Sequence, residues 1–145
     1  MNASLFGIVD YWAVFLAAVA AFALGAVWYR IFATPWLAAT GLTEEMIKGE
    51  AAGGRSPMPF LFAFIADLVM AFALYGIIWH VGGGHFAGKS GVISGALCWL
   101  GFVITTMAVN SAFARRKPVL LAIDGGYWLV VLALMGGIIG GMGPG

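Results

Sequence analysis

Charged side chains are scarce in this sequence: seven Lys and Arg and six Asp and Glu among 145 residues, 9% of the total. A soluble domain carries roughly 25% charged residues to solvate its surface, so an ordinary water-exposed globule is excluded. Cysteine is nearly absent, and the single Cys98 rules out an intrachain disulfide. A formal charge of +1 leaves no basic footprint for nucleic acid. No Lys or Arg precedes the first apolar run, which a cleaved signal peptide requires, so Ala21-Phe22-Ala23 reads as part of a continuous helix and not as a cleavage site. Catalytic motifs are missing too, with no Ser, His and Asp set, no HExxH and no nucleophile elbow. Gly82-Gly83-Gly84 follows no strand, and Lys89-Ser90 comes after it at the wrong spacing for a phosphate loop. His80 and His85 flank those glycines, but two imidazoles in a glycine loop do not complete a metal or haem site, so neither a metal nor a cofactor is expected.

What the chain has is hydrophobic length: 63% apolar residues and a mean hydropathy of +1.02. Four segments are long enough to cross a bilayer, at about 8–29, 59–81, 91–113 and 118–142. The expected fold is all-α, a polytopic membrane protein with four transmembrane helices in a compact bundle, forming one transmembrane domain over 1–145. Trp12, Trp28 and Trp79 lie near the proposed interfaces, where an amphipathic indole is favoured. Pro59 and Pro118 fall in first turns, where a missing N–H costs nothing.

Basic residues set the orientation. Arg30, Lys48, Arg55, Arg115, Arg116 and Lys117 lie in the first and third connections and only Lys89 in the second, six of the seven on one side. The expectation is therefore that those connections are cytoplasmic and both termini extracytoplasmic. The long loop, about 30–58, reads as short amphipathic helices. Thr34-Pro35-Trp36 starts one that Gly41 ends, and Thr43 can cap a second carrying Glu44, Glu45 and Lys48. Trp36, Leu37, Met46 and Ile47 would then dip into the headgroup region, and Gly53-Gly54-Arg55-Ser56-Pro57 gives a flexible exit.

Gly25-x-x-Trp28-Tyr29, then Phe32-x-x-x-Trp36, then Gly41-Leu42-Thr43-Glu44-Glu45, together with Ile123-Asp124-Gly125-Gly126-Tyr127 after a short basic connection, resemble the domain of unknown function 1761 family of small bacterial membrane proteins. The resemblance spans nearly the whole chain. It implies a four-helix fold in the bacterial inner membrane and carries no established activity, cofactor or catalytic residue.

Helices in lipid associate through small residues, and Ala13, Ala17, Ala21 and Gly25 share one ridge of the first helix. Gly136 and Gly140 repeat that spacing in the fourth, as do Gly137 with Gly141, and Gly91 with Gly95 in the third. Such motifs often pack helices within one chain and support close packing better than dimerisation; the partners expected are the lipid bilayer and a second copy or another membrane protein.

Two aspartates, Asp67 and Asp124, lie inside apolar runs, where a carboxylate costs several kcal/mol unless it is neutralised, paired or hydrated. In the second helix Ala63, Asp67, Ala71 and Tyr75 share a ridge, so Asp67 is expected to face other helices. At the helical rise Asp67 lies roughly 12 Å, Asp124 roughly 9 Å and Asn110 roughly 8 Å from the cytoplasmic ends of their helices. These three, with Thr106, Tyr127, Tyr29 and Arg30 at adjoining levels, form a candidate polar intramembrane site. The same layer also reads as structural glue, with Asn110 hydrogen-bonded across helices and Arg30 or Arg115 reaching an aspartate, while Trp28 and Tyr29 also read as an interfacial belt.

Two aspartates on two helices invite comparison with intramembrane aspartyl proteases. Ala66 stands where those have tyrosine, and Ala122-Ile123 where they have a glycine-containing motif, so no enzyme is expected. Two classes remain: a small proton- or cation-linked transporter acting through the aspartates, and a non-catalytic subunit or scaffold of a larger membrane complex.

Overall fold

A computed structural model of the chain describes residues 9–41 and 57–143. They form five helices: α1 (Tyr11–Ile31), α2 (Ala33–Thr40), α3 (Met58–Val81), α4 (Gly88–Phe113) and α5 (Pro118–Met142), with no strand among the described residues. All but the short α2 are long and apolar enough to cross a membrane, four spans in all. The chain is an all-helical, multi-pass membrane protein. The second short helix expected from Thr43, with Glu44, Glu45, Met46, Ile47 and Lys48, and the exit at Gly53 to Ser56 lie outside the described residues.

Local chemistry sets the helix ends. Asp10 caps α1, its Oδ1 accepting from the backbone N–H of Trp12 (3.1 Å) and Ala13 (3.2 Å), so this span starts at Tyr11 and not near Ile8. Gly41 closes α2 in the left-handed conformation (φ 77°), its N–H donating to the Leu37 carbonyl. Arg115 closes α4 the same way without being glycine, at φ 54°. Its N–H bonds the Ala112 carbonyl and that of Arg116 the Ser111 carbonyl, which turns the chain into Pro118 within four residues.

The outer surface is hydrocarbon. Phe113, Val81, Phe62 and Phe102 are 72–87% exposed, a surface suited to lipid and not to water. The interior holds Leu74, Tyr75 and Ile78 of α3 and Val131, Met135 and Ile139 of α5. The most extensive interhelical contact joins α4 to α5 and depends on glycine. A Cβ on Gly91 would overlap the Gly136 carbonyl, on Gly95 the Leu132 carbonyl and on Gly140 the Ala87 carbonyl. In α1, Ala13, Ala17, Ala18 and Ala21 are wholly buried inside the chain, and Gly25 lies against the Tyr127 hydroxyl.

Midway along α4 one π-helical turn, Trp99–Val103, interrupts the α geometry. The extra residue rotates everything beyond it by about 100° around the axis. The inward face set by Gly91 and Gly95 would otherwise continue through Phe102, Thr106 and Asn110; it passes instead to Val103, Met107 and Ser111.

Gly95→Ala and Gly136→Ala should each lower stability by about 1–3 kcal/mol, because the backbones must separate. Gly141→Ala, with nothing within 4 Å of the added carbon, should be neutral or stabilising. Thermal aggregation midpoints in mild detergent would order the three variants, and equal midpoints would remove the glycine contact as the basis of the α4–α5 pair.

Candidate functional site

α1 ends, and α3 and α5 begin, on the same side of the bundle, with α2 crossing beside them. Between them lies a cavity of about 660 Å³. Its walls are mostly carbon: Phe22, Gly25 and Ala26 of α1, Ala33, Trp36 and Leu37 of α2, Phe60 and Ala63 of α3, and Trp128 of α5. The polar groups on the wall are Asp67 from α3, Asp124 and Tyr127 from α5, and Tyr29 from α1. A second groove, about 520 Å³ between α3 and α4, is lined by Cys98, Phe62, Phe102 and other apolar side chains and offers no charged group.

The aspartates occupy different environments. Asp124 is committed: its Oδ1 accepts a 2.7 Å hydrogen bond from the Tyr29 hydroxyl, and its Oδ2 faces the Arg116 guanidinium at 3.4 Å. The basic partner is thus Arg116, and not Arg30 or Arg115 as the sequence suggested, because the left-handed turn at Arg115 carries the next residue back over the first turns of α5. Asp67 is 2% exposed, and its Oδ1 has no hydrogen-bond partner among the described residues. Ala63 one turn before it lines the cavity, and Ala71 one turn after it is wholly buried.

Aromatic side chains frame the carboxylates. The Tyr29 and Tyr127 rings meet edge to face at 5.3 Å, Tyr29 meets Trp36 at 6.2 Å and Tyr127 meets Trp128 at 4.9 Å. The Tyr127 hydroxyl donates to the Ala21 carbonyl across the α1–α5 contact (3.1 Å). Two indoles brace the helix that carries Asp124, Trp28 donating to the Ile123 carbonyl (3.1 Å) and Trp99 to the Gly125 carbonyl (2.8 Å). The glycines after Asp124 admit these neighbours: Gly126 lies against the Trp28 ring and Gly125 against Ile104. Trp28 is therefore a helix-to-helix tie as well as a residue near the span's end.

Of the residues expected in a polar layer, the structure brings together Asp67, Asp124, Tyr29 and Tyr127. Asn110 and Thr106 do not join them. Both are exposed on the outer face of α4, and the Thr106 hydroxyl bonds the Phe102 carbonyl of its own helix. Depth along a helix fixes level but not direction, and the π turn rotates these two away. Arg30 is also exposed at the end of α1. Phe22, Phe60, Trp36 and Trp128 are wall residues that the polar reading missed, although Trp128 adjoins Tyr127 and Phe60 lies seven residues before Asp67, on the same helical face.

If the phenol of Tyr29 holds Asp124, Tyr29→Phe should cost about 1–3 kcal/mol by leaving a carboxylate oxygen short of a donor. Arg116→Ala should cost less than about 1 kcal/mol, because the guanidinium is partly exposed. Tyr29→Phe with Asp124→Asn should then be less than additive in a thermal double-mutant cycle.

A family described as Protein of unknown function (DUF1761) matches residues 12–140. No curated protein and no solved structure matches the chain.

Proposed function

The chain belongs to the DUF1761 family, and from that premise we propose that it is a small proton- or cation-linked carrier of the bacterial inner membrane, with Asp67 as its working carboxyl. One observation carries this reading: a buried acid whose Oδ1 has no hydrogen-bond partner among the described residues, on the wall of a cavity of about 660 Å³. Intramembrane acids that are only structural find partners, as Asp124 has in Tyr29 and Arg116. Asp67 keeps its capacity for a proton or a cation. Asp124 holds the wall and the α1–α5 junction in place. An acid dyad shares a proton between two free carboxyls, and here one of the two is engaged by a phenol and an arginine, which counts against an aspartyl-protease mechanism and supports a non-catalytic reading.

The basic residues Arg115, Arg116 and Lys117 join α4 to α5 at the cavity end of the bundle, which supports a cytoplasmic position for the cavity and extracytoplasmic termini. A four-helix chain would enclose a pathway by pairing with a second copy. The competing subunit reading draws on glycine ridges and on the long amphipathic loop as docking faces. Gly91, Gly95, Gly136 and Gly140 are occupied with one another inside the chain, which removes those ridges as docking faces, while most of the loop lies outside the described residues.

In a Cys98→Ala background, Thr40→Cys should resist an impermeant thiol reagent applied to intact cells while His85→Cys reacts; the reverse pattern would invert the orientation. Proteoliposomes should show flux of a cation driven by a pH gradient, retained in Arg116→Ala and abolished in a folded Asp67→Asn variant. No flux in the parent protein, with co-purification of a larger complex, would favour the subunit reading.

A further inference from the structure

The cavity walls specify a kind of solute. A bare metal ion needs several convergent oxygen, nitrogen or sulfur ligands, and among the described residues no three His, Cys, Asp or Glu side chains cluster. The walls present aromatic surface, with Tyr29, Trp36, Tyr127 and Trp128 lining the same cavity as Asp67. An aromatic face attracts a cation whose charge is spread over an apolar body, and a carboxylate in the same cavity neutralises it. The volume of about 660 Å³ falls within the range of about 300–1,000 Å³ that holds a ligand of several rings. Among the described residues neither an anion nor a second charge is provided for, since Arg116 is already paired with Asp124.

We propose that this cavity binds an amphipathic organic monocation of several rings, and that each cation bound displaces one proton from Asp67. This rests on the carrier reading above and names its substrate class. The exchange balances: the carboxylic acid O–H bond breaks, the proton leaves to water, and the carboxylate takes the cation as counter-ion. No described cation pairs with Asp67, and a lone carboxylate away from water is costly, so either a proton or a bound cation must neutralise it. The titratable groups packed around it are Tyr29 from α1 and Asp124 and Tyr127 from α5, none of them cationic. α2 contributes Trp36 and Leu37, α3 itself has Tyr75 two turns on, and Cys98 of α4 lines the groove between α3 and α4.

The test uses the full chain in mild detergent and three probes of similar shape: tetraphenylphosphonium, tetraphenylborate and neutral triphenylphosphine oxide. Titration calorimetry measures affinity, and a pH dye in weak buffer counts protons. Tetraphenylphosphonium should bind at least about tenfold tighter than either other probe and release about one proton per cation. Asp67→Asn should lose about tenfold in affinity and all proton release, Asp67→Glu should recover part of both, and Trp36→Leu should weaken binding roughly threefold to thirtyfold with proton release intact. Should Asp67→Asn fail to fold, charge discrimination and proton count in the parent still decide. Cation binding without proton release overturns the exchange. Equal binding of borate or phosphine oxide overturns the cationic class but leaves a solute-binding cavity. If no probe binds, the substrate class fails. The carrier reading then fails with it only if the pH-gradient flux is also absent with inorganic cations.

Discussion

Helices surrounded by lipid gain nothing by hiding apolar surface from one another, since the surroundings are as apolar as they are. What holds this bundle together is close approach of backbones, above all where Gly91 and Gly95 of α4 meet Gly136, Gly140 and Leu132 of α5. At that distance dispersion acts between main chains, and no flexible side chain has to be ordered. The other helices assemble on this pair. The alanine face of α1 closes one side, Tyr127 and Trp28 tie α1 to α5 by hydrogen bonds to helical carbonyls, and α3 leans mainly on α1.

The two aspartates show how much position in a bundle matters beyond residue type. They look alike in the sequence, both acids in apolar runs and both a few turns from a basic connection. Folding gives Asp124 a phenol and a guanidinium and leaves Asp67 a cavity wall. Tyr29 contributes to both environments, binding Asp124 through its hydroxyl and walling the cavity with its ring.

The architecture was readable from the sequence because it rests on one-dimensional quantities. Apolar length gives the four spans, and prolines and caps give their ends to within a few residues. The site was readable only in part. Asp67, Asp124, Tyr29 and Tyr127 could be assigned to one level from their distance to a helix end. Whether a side chain at that level faces inward depends on helix phase, and the π turn at Trp99–Val103 shifts that phase in a way no periodic pattern in α4 announces. Asn110 and Thr106 were misplaced for that reason. The partner of Asp124 was missed by one residue because Arg115, without being glycine, adopts the left-handed conformation that glycine favours.

The short turn through Arg115 has a mechanical consequence. With four residues between Phe113 and Pro118 and glycine contacts farther along, α4 and α5 are fastened at both ends of their interface and behave as one stiff unit. α3 has no such fastening. It touches α4 and α5 sparingly and enters from a long connection. Tilting α3 therefore breaks fewer contacts than parting α4 from α5, so among the four spans the one that carries Asp67 is held least by its neighbours.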